Sequence, residues 1–372
     1  MGKSKVYFTD LRVQAGDNLL KKLDRLIRAA GMEEINFNRQ FTAIKIHFGE
    51  PGNLAFLRPN YAKVVADAVK SLGGKPFLTD CNTLYTGRRK DALEHMDSAN
   101  ENGFVPCTTG CQIIIGDGLK GTDEALVPVE GGEYVKEAKI GRAVMDADII
   151  ISLSHFKGHE ATGFGGALKN LGMGCGSRAG KMEMHSDGKP VVRKELCVGC
   201  RKCSRECAHG AISYQDGKAS IDQNRCAGCG RCSGACPMDA VKPGKDSAND
   251  LLDCKIAEYA KAVCQGRPNF HISLAVDISP FCDCHSENDA AIVPNIGMFA
   301  SFDPVAIDVA CADAVNAQAP IPNSALGEAV ESGSSCHDHF TDVFPVTDWK
   351  VMIRHAEKIG LGSSEYELIR VK

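Results

Sequence analysis

Along the first half of the chain, short apolar runs alternate with longer stretches in which apolar positions recur every three or four residues. The short runs, rich in Val, Ile, Phe and Thr, predict strands over 3–8, 42–47, 76–80, 112–115 and 148–153. The longer stretches predict helices over 18–30, 60–72, 88–102 and 140–147. Strand and helix taking turns in this way predict a layered α/β domain with a mostly parallel sheet, whose ligands sit at the carboxyl ends of the strands. Between residues 190 and 245 the texture becomes cysteine-rich and strand-poor, in two similar halves. The first texture then returns, with helices over 250–265, 304–315 and 349–359 and strands over 269–277 and 366–371. Residues 190–245 therefore read as a small α+β module inserted into one discontinuous host domain, 1–189 and 246–372. Such an insertion is tolerated where its two ends lie close together at the host surface.

Composition adds bounds. A chain of 372 residues with 44% hydrophobic and 24% charged residues can build one large core and a smaller one. A net charge of −4 gives no basic field for nucleic acid or an anionic membrane surface, and neither is expected as a partner. The first ten residues carry two lysines but no apolar run with a small-residue cleavage site. No apolar stretch reaches the roughly 18 residues that span a bilayer, and a cytoplasmic protein is expected. In a reducing compartment, 18 cysteines point to thiolate-bound metal or redox chemistry rather than to a disulfide framework.

Eight of those cysteines form a doubled C-x2-C-x2-C-x3-C register: Cys197, Cys200, Cys203 and Cys207, then Cys226, Cys229, Cys232 and Cys236. Three thiolates on one tight loop suit three corners of a cubane, so two [4Fe-4S] clusters are expected. Zinc is the chemical alternative, since C-x2-C pairs also build tetrahedral sites, but the third cysteine and the x3-C tail suit cubanes better. Asp216-Gly217 between the halves signals a hairpin. Over about fifty residues this segment resembles a bacterial-type two-cluster ferredoxin. In that arrangement the fourth ligand of each cluster comes from the other half. The resemblance then assigns Cys197, Cys200, Cys203 and Cys236 to one cluster, and Cys226, Cys229, Cys232 and Cys207 to the other. One departure is visible, because Pro237 follows Cys236 but Ala208 follows Cys207; proline is not a ligand, and the cluster count stands.

In the host, the run from Ser152 to Cys175 gathers His155, Lys157, His159, Thr162, a glycine-rich turn, Lys169 and Asn170 just after a predicted strand. That composition suits an anion-binding or acid/base site, with His155, Lys157, His159 and Lys169 as candidate catalytic residues. Lys45, His47 and Asp80 fall at other strand ends and join the candidate pocket, although Asp80 also suits a turn cap and Lys45 a surface position. Cys282-Asp-Cys284-His285 follows a strand as well. This triplet, with Cys175 as a candidate third thiolate, could bind a soft metal or act as a redox thiol pair, or could simply pack in a tight turn. Asp303 before Pro304 reads as a helix cap, and Asp308 one turn on is within reach of the same strand ends. His95, His271 and His355 read as ordinary helix or strand residues.

The run from Ser152 to Cys175, Lys45-Ile-His47-Phe-Gly49-Glu50, Cys282-Asp-Cys284 and Phe302-Asp303-Pro304-Val-Ala-Ile-Asp308 together resemble the domain of unknown function 362 family. The similar branch is that of uncharacterized iron-sulfur proteins with an inserted two-cluster ferredoxin domain, and the resemblance covers nearly the whole chain. It implies an α/β host distantly similar to the nickel-dependent lactate racemase superfamily, two cubanes in the insert, and no particular substrate. The function expected is a ferredoxin-linked redox protein passing electrons between a redox protein partner and a small-molecule substrate, with an additional metal or a small anionic ligand in the host. The alternatives are a non-enzymatic electron carrier or cluster-dependent binding or assembly protein, and an enzyme whose clusters are only structural. No Gly-x-Gly-x-x-Gly follows the first strand, so no nicotinamide cofactor is expected.

Overall fold

The computed structural model of the chain describes residues 3–84, 87–185, 189–207, 209–226, 228, 230–243, 249–334 and 337–372. An eight-stranded sheet runs through the host in the order Tyr366–Arg370, Ser4–Asp10, Gly297–Ser301, Asn269–Ala275, Ile149–His155, Phe41–Lys45, Lys75–Asp80 and Gln112–Ile115. Only Gly297–Ser301 runs antiparallel to its neighbours, and every other pairing in the sheet is parallel. The mostly parallel α/β host is therefore what folds. Both faces of the sheet are covered, as a parallel sheet requires. The period-2 alternation of strands sorts side chains between two cores: Ile150 packs into one, and Ile149, Ile151 and Leu153 into the other. Helices Leu19–Ala29, Pro59–Ser71 and Ala92–Glu101 contribute to the second core, and Ala167–Cys175, Asn249–Cys264, Pro304–Asn316 and Lys350–Lys358 to the first.

Local chemistry accounts for the helix boundaries. Asn18 accepts a hydrogen bond from the backbone N–H of Lys21, and Asp303 accepts from Val305 and Ala306, with Pro304 at the first helical position. The expected helix over 140–147 is shorter than its periodicity suggests. Residues Glu137–Gly141 form a strand paired with Glu124–Pro128, and only Arg142–Asp146 is helical. Alternation within 137–141 satisfies a strand and a helix equally, and pairing decides between them. Helices Ala167–Cys175 and Asn249–Cys264 pack closely, because a side chain at Gly172 would strike the carbonyl of Ile256.

Helix Asn249–Cys264 is buried along most of its length and carries two deeply placed carboxylates, Asp253 and Glu258, of which Glu258 is the well-partnered one. Its oxygens accept N–H bonds from Glu133 at 2.7 Å and Val135 at 2.7 Å, and His355 Nε2 stands 2.8 Å away. Hydrogen bonding to Cys254 and to Glu258 pushes His355 up to about 9, against the opposing effect of burial. A group raised in the folded state stabilises fully below its unfolded value, near 6.5, and that stabilisation is lost as pH rises through about 9. The melting temperature is expected to fall across this window, and a His355→Gln variant to show a flatter profile there; parallel profiles for the two proteins would remove His355 as the cause.

The insert begins and ends on an antiparallel pair, Pro190–Val192 with Val241–Pro243, and its hairpin Ile212–Gln215 and Lys218–Ile221 encloses the turn at Asp216-Gly217. Between these lie short helices Lys202–Arg205 and Arg231–Gly234 and a core of Cys197, Cys203, Cys232, Cys236, Ala219, Ala240 and Val241.

Candidate functional site

The carboxyl ends of Phe41–Lys45, Lys75–Asp80, Ile149–His155 and Asn269–Ala275 open onto a cavity of about 530 Å³. Lys45, His47, Asp80, His155, Lys157, His159, Lys169, Cys282 and Cys284 all line it, so residues from four separate stretches of sequence meet in one place. Its basic side chains, Lys45, Arg89, Lys157, Lys169, Lys181, Arg193 and Lys242, outnumber its carboxylates, Asp80 and Glu160. Arg193 and Lys242 belong to the insert, which therefore forms part of the wall.

One corner is an ionic network with almost no access to solvent. Lys45 Nζ lies 2.9 Å from Asp80 Oδ1 and donates to Asn170 Oδ1 at 2.8 Å. Arg89 donates to Glu50 at 2.7 Å, and its Nη1 stands 3.0 Å from His47 Nε2. Burial, then the Arg89 charge, pushes His47 down to about 3, so this imidazole is neutral at physiological pH. Asp80 is held well below the usual carboxylate range: burial opposes this, and Lys45 and His95 outweigh it.

A second corner is built around Asp283. Its carboxylate lies 2.8 Å from His155 Nδ1 and 3.4 Å from Lys157 Nζ. The other nitrogen of His155 stands 2.8 Å from the carbonyl of Val276, so both ring nitrogens face acceptors. Against the effect of burial, His155 and Lys157 keep Asp283 ionised well below its ordinary range. Asp283 turns toward these two side chains, and its neighbours Cys282 and Cys284 line the cavity.

The third corner brings His159, Cys282 and Cys284 together, with their donor atoms within 4.8 Å of one another. On distance alone this is compact enough for one metal ion. Lys169 Nζ lies 3.5 Å from Cys282 Sγ. Lys169 and Asn170 sit on the first turns of helix Ala167–Cys175, whose start is held from across the core. Asp308 accepts from the N–H groups of Ala167 at 2.6 Å and Leu168 at 2.9 Å, and a side chain at Gly166 would overlap its carboxylate. Asp308 thus caps the helix that carries the site rather than reaching a ligand itself.

Cys175 departs from expectation. It is fully buried at the far end of the same helix, packed in the host core, and does not line the cavity. Its neighbours Met173 and Gly174 line the cavity, but the Cys175 side chain packs on the other side of the helix, in the host core. His159 stands where the third thiolate was expected. Asp283, Arg89, Glu50 and Glu160 were not singled out from sequence. Asp283 lay inside the C-x-C triplet that drew notice, whereas Arg89, within Arg88-Arg89-Lys90, has the look of a solvated basic run.

In the insert, Cys197, Cys200, Cys203 and Cys236 line one small cavity of about 20 Å³. Backbone N–H groups point at sulfur: Ala219 to Cys197 at 3.4 Å, Ala211 to Cys207 at 3.3 Å, Gly228 to Cys226 at 3.4 Å and Ala240 to Cys236 at 3.3 Å. Cys232 is buried in the same small core, and Cys229 lies outside the described residues. None of the described cysteines is in a disulfide. The half that carries Cys232 faces the host: Ser233 Oγ donates to the carbonyl of Leu84 at 3.4 Å, and Leu84 lines the large cavity. Ion pairs Lys90–Asp239 and Lys120–Glu206 brace the same junction.

Comparison with known proteins places this architecture in a family. A stretch covering 34% of the chain is 28% identical over 131 residues to the thylakoid-associated protein sll1697 of Synechocystis, of which it covers 35%. Among solved structures, the lactate racemase apoprotein of Thermoanaerobacterium thermosaccharolyticum is 11% identical with a TM-score of 0.35, over 74% of this chain and 51% of that one. A Thermotoga maritima protein is 12% identical with a TM-score of 0.33, over 69% and 50%. The chain thus spans about a third of the curated relative and about half of each solved structure. Among the described residues no helix is long and apolar enough to cross a membrane. The model of the domain of unknown function DUF362 matches residues 42–313, which include both the cavity-lining segments and the insert, and the chain belongs to that family.

Proposed function

We propose that this chain is a cytoplasmic iron-sulfur redox protein whose insert holds two [4Fe-4S] clusters and exchanges electrons with a small anionic substrate in the host cavity. Cys197, Cys200, Cys203 and Cys236 would hold one cluster, and Cys226, Cys229, Cys232 and Cys207 the other. When bound, such clusters supply single electrons over a wide range of potentials. The observation that carries the reading is the small cavity where three cysteines of the first run meet the last cysteine of the second. Separate zinc knuckles would draw their four thiolates from within each run instead. The donor set fits in a second respect, since N–H groups aimed at sulfur are the usual means of stabilising and tuning a thiolate-bound cluster.

The chain's own residues supply the rest. The excess of basic side chains in the large cavity favours an anion there, and its recessed shape, with charged groups set among apolar ones, favours a substrate site over a flat docking face. His155 and Lys157 are fixed by Asp283 beside that space, where they can orient a ligand. The contact of Ser233 with Leu84 sets the run that carries Cys226 and Cys232 against the cavity wall, which supports electron exchange between a cluster there and the cavity. On the other side, Cys200 is exposed among the apolar side chains Leu196, Val198 and Met238. This surface suits a redox protein partner, since exposed apolar groups around an exposed ligand let a donor approach closely.

The test is metal analysis of protein purified without oxygen. About eight iron and about eight sulfide per chain are expected, with a brown colour that dithionite bleaches. Colourless protein, or zinc in place of iron and sulfide, would overturn the reading.

A further inference from the structure

The group formed by His159, Cys282, Cys284 and Lys169 lies apart from the cysteines assigned to clusters, and its hydrogen bonds distinguish between two chemistries. A metal-bound imidazole donates the N–H of its other nitrogen outward, to a carboxylate, carbonyl or water. His159 does the opposite. Its Nδ1 accepts backbone N–H bonds from Ala161 at 3.1 Å and Thr162 at 3.2 Å. A neutral ring so held carries its proton on Nε2, which makes that nitrogen a donor with no lone pair for a metal. Burial, then Lys169, pushes His159 down to about 4, in keeping with the neutral ring. The ammonium of Lys169, 3.5 Å from Cys282 Sγ, already occupies a cationic position beside the sulfur. A cation held beside a sulfur favours its thiolate.

We propose that Cys282 and Cys284 are a redox-active thiol pair of the host cavity, with Cys282 as the attacking thiolate and a small anionic disulfide as its partner. This deepens the reading of the cavity given above and rests on it only for the natural source of electrons. Both sulfurs face the cavity, and Cys284 is close enough to resolve a mixed disulfide. In the first step the Cys282 thiolate attacks one sulfur of the disulfide, an S–S bond forms, and the other half leaves as a thiolate. The Cys284 thiol passes its proton to that thiolate and attacks Cys282 sulfur. The Cys282–Cys284 disulfide closes and the second half leaves, so the pair is oxidised and the disulfide reduced. Two electrons and one proton, from two one-electron centres or from a dithiol, restore thiolate and thiol. Residues two apart close a strained ring, and strained disulfides are the easily reduced ones. Basic lining favours an anionic partner over a neutral one. The hydrogen bond from Cys284, then Lys157 and Lys169, holds Cys282 well below its ordinary value against burial, and the same shared proton pushes Cys284 well above.

The experiment uses the full chain, purified without oxygen, with oxidised glutathione as the anionic disulfide and iodoacetamide as the trap, read by peptide mass mapping. The wild type is expected to form a Cys282–Cys284 link that dithiothreitol reverses, and Cys284→Ser to accumulate glutathione on Cys282. Alkylation of Cys282 should change less than about threefold between pH 6 and 8.5, whereas in Lys169→Met it should climb about tenfold or more over that range. An ordinary thiol profile in the wild type without any link would overturn the proposal, as would one extra metal ion per chain that shields both cysteines until it is chelated. Iron and sulfide are measured on the same samples. Their absence alongside a normal link would defeat the cluster reading alone, and their presence without a link would defeat the thiol pair alone.

Discussion

Cys236→Ser is expected to remove the same iron as Cys197→Ser, although the two residues lie in opposite halves of the cysteine repeat. Each variant should keep about four of about eight iron atoms, and the double variant should also keep about four, because both substitutions strike one cubane. Cys207→Ser combined with Cys236→Ser should instead lose nearly all of the iron. The pattern follows from the small cavity shared by Cys197, Cys200, Cys203 and Cys236, and from the N–H bonds that Ala219 and Ala240 direct at two of those sulfurs. Iron and sulfide assays, with electron paramagnetic resonance of the reduced protein, read the outcome. If Cys236→Ser instead left the iron of Cys232→Ser unchanged in the double variant, each run would be holding its own metal and the interlocked arrangement would be wrong.

Asp80→Ala is expected to be the most damaging single change in the host, by about 3–5 kcal/mol. Lys45 is completely buried, and Asp80 is its ionic partner at 2.9 Å; Asn170 supplies only a neutral oxygen. Removing the carboxylate leaves the ammonium in a low-dielectric corner that also holds Arg89, which lies 3.8 Å from Asp80. Coulombic attraction alone is a poor guide here, since burying the pair costs much of what their contact returns. The large effect comes from the unpaired charge. A second substitution, Lys45→Met, should therefore recover most of the loss, because it removes the stranded ammonium and leaves an apolar chain of similar length. Urea denaturation of the single and double variants measures both steps. A single variant within about 1 kcal/mol of wild type would show that Lys45 finds another anion or water.

The chain written out already contains the layered, mostly parallel α/β architecture. The short apolar runs around Ile44, Leu78 and Ile151 mark strands by their β-branched and apolar composition, and the doubled cysteine register marks the change of texture between them and the later elements. The cap Asp303 was legible because it acts on N–H groups two and three residues away. The antiparallel strand Gly297–Ser301 was not recognised, since Gly-Met-Phe-Ala-Ser contains no β-branched residue to mark it as a strand. His155, Lys157, His159 and Lys169 were legible as a group because one strand end and one helix start hold them all.

What the linear order left undecided was which residues answer one another across the sheet. Cys175 and Cys282 are equally plausible thiolates in sequence, and only the packing puts one in the core and the other on the cavity. Arg89, Glu50 and Asp283 acquire their roles from partners brought from other strands, at distances that no periodicity encodes. Periodicity and capping are local, fixed by interactions within a few residues, so sequence determines them. Charge pairing depends on groups tens to more than a hundred residues away, as between Arg89 and Glu50 or His155 and Asp283, and this the closing of the sheet decided.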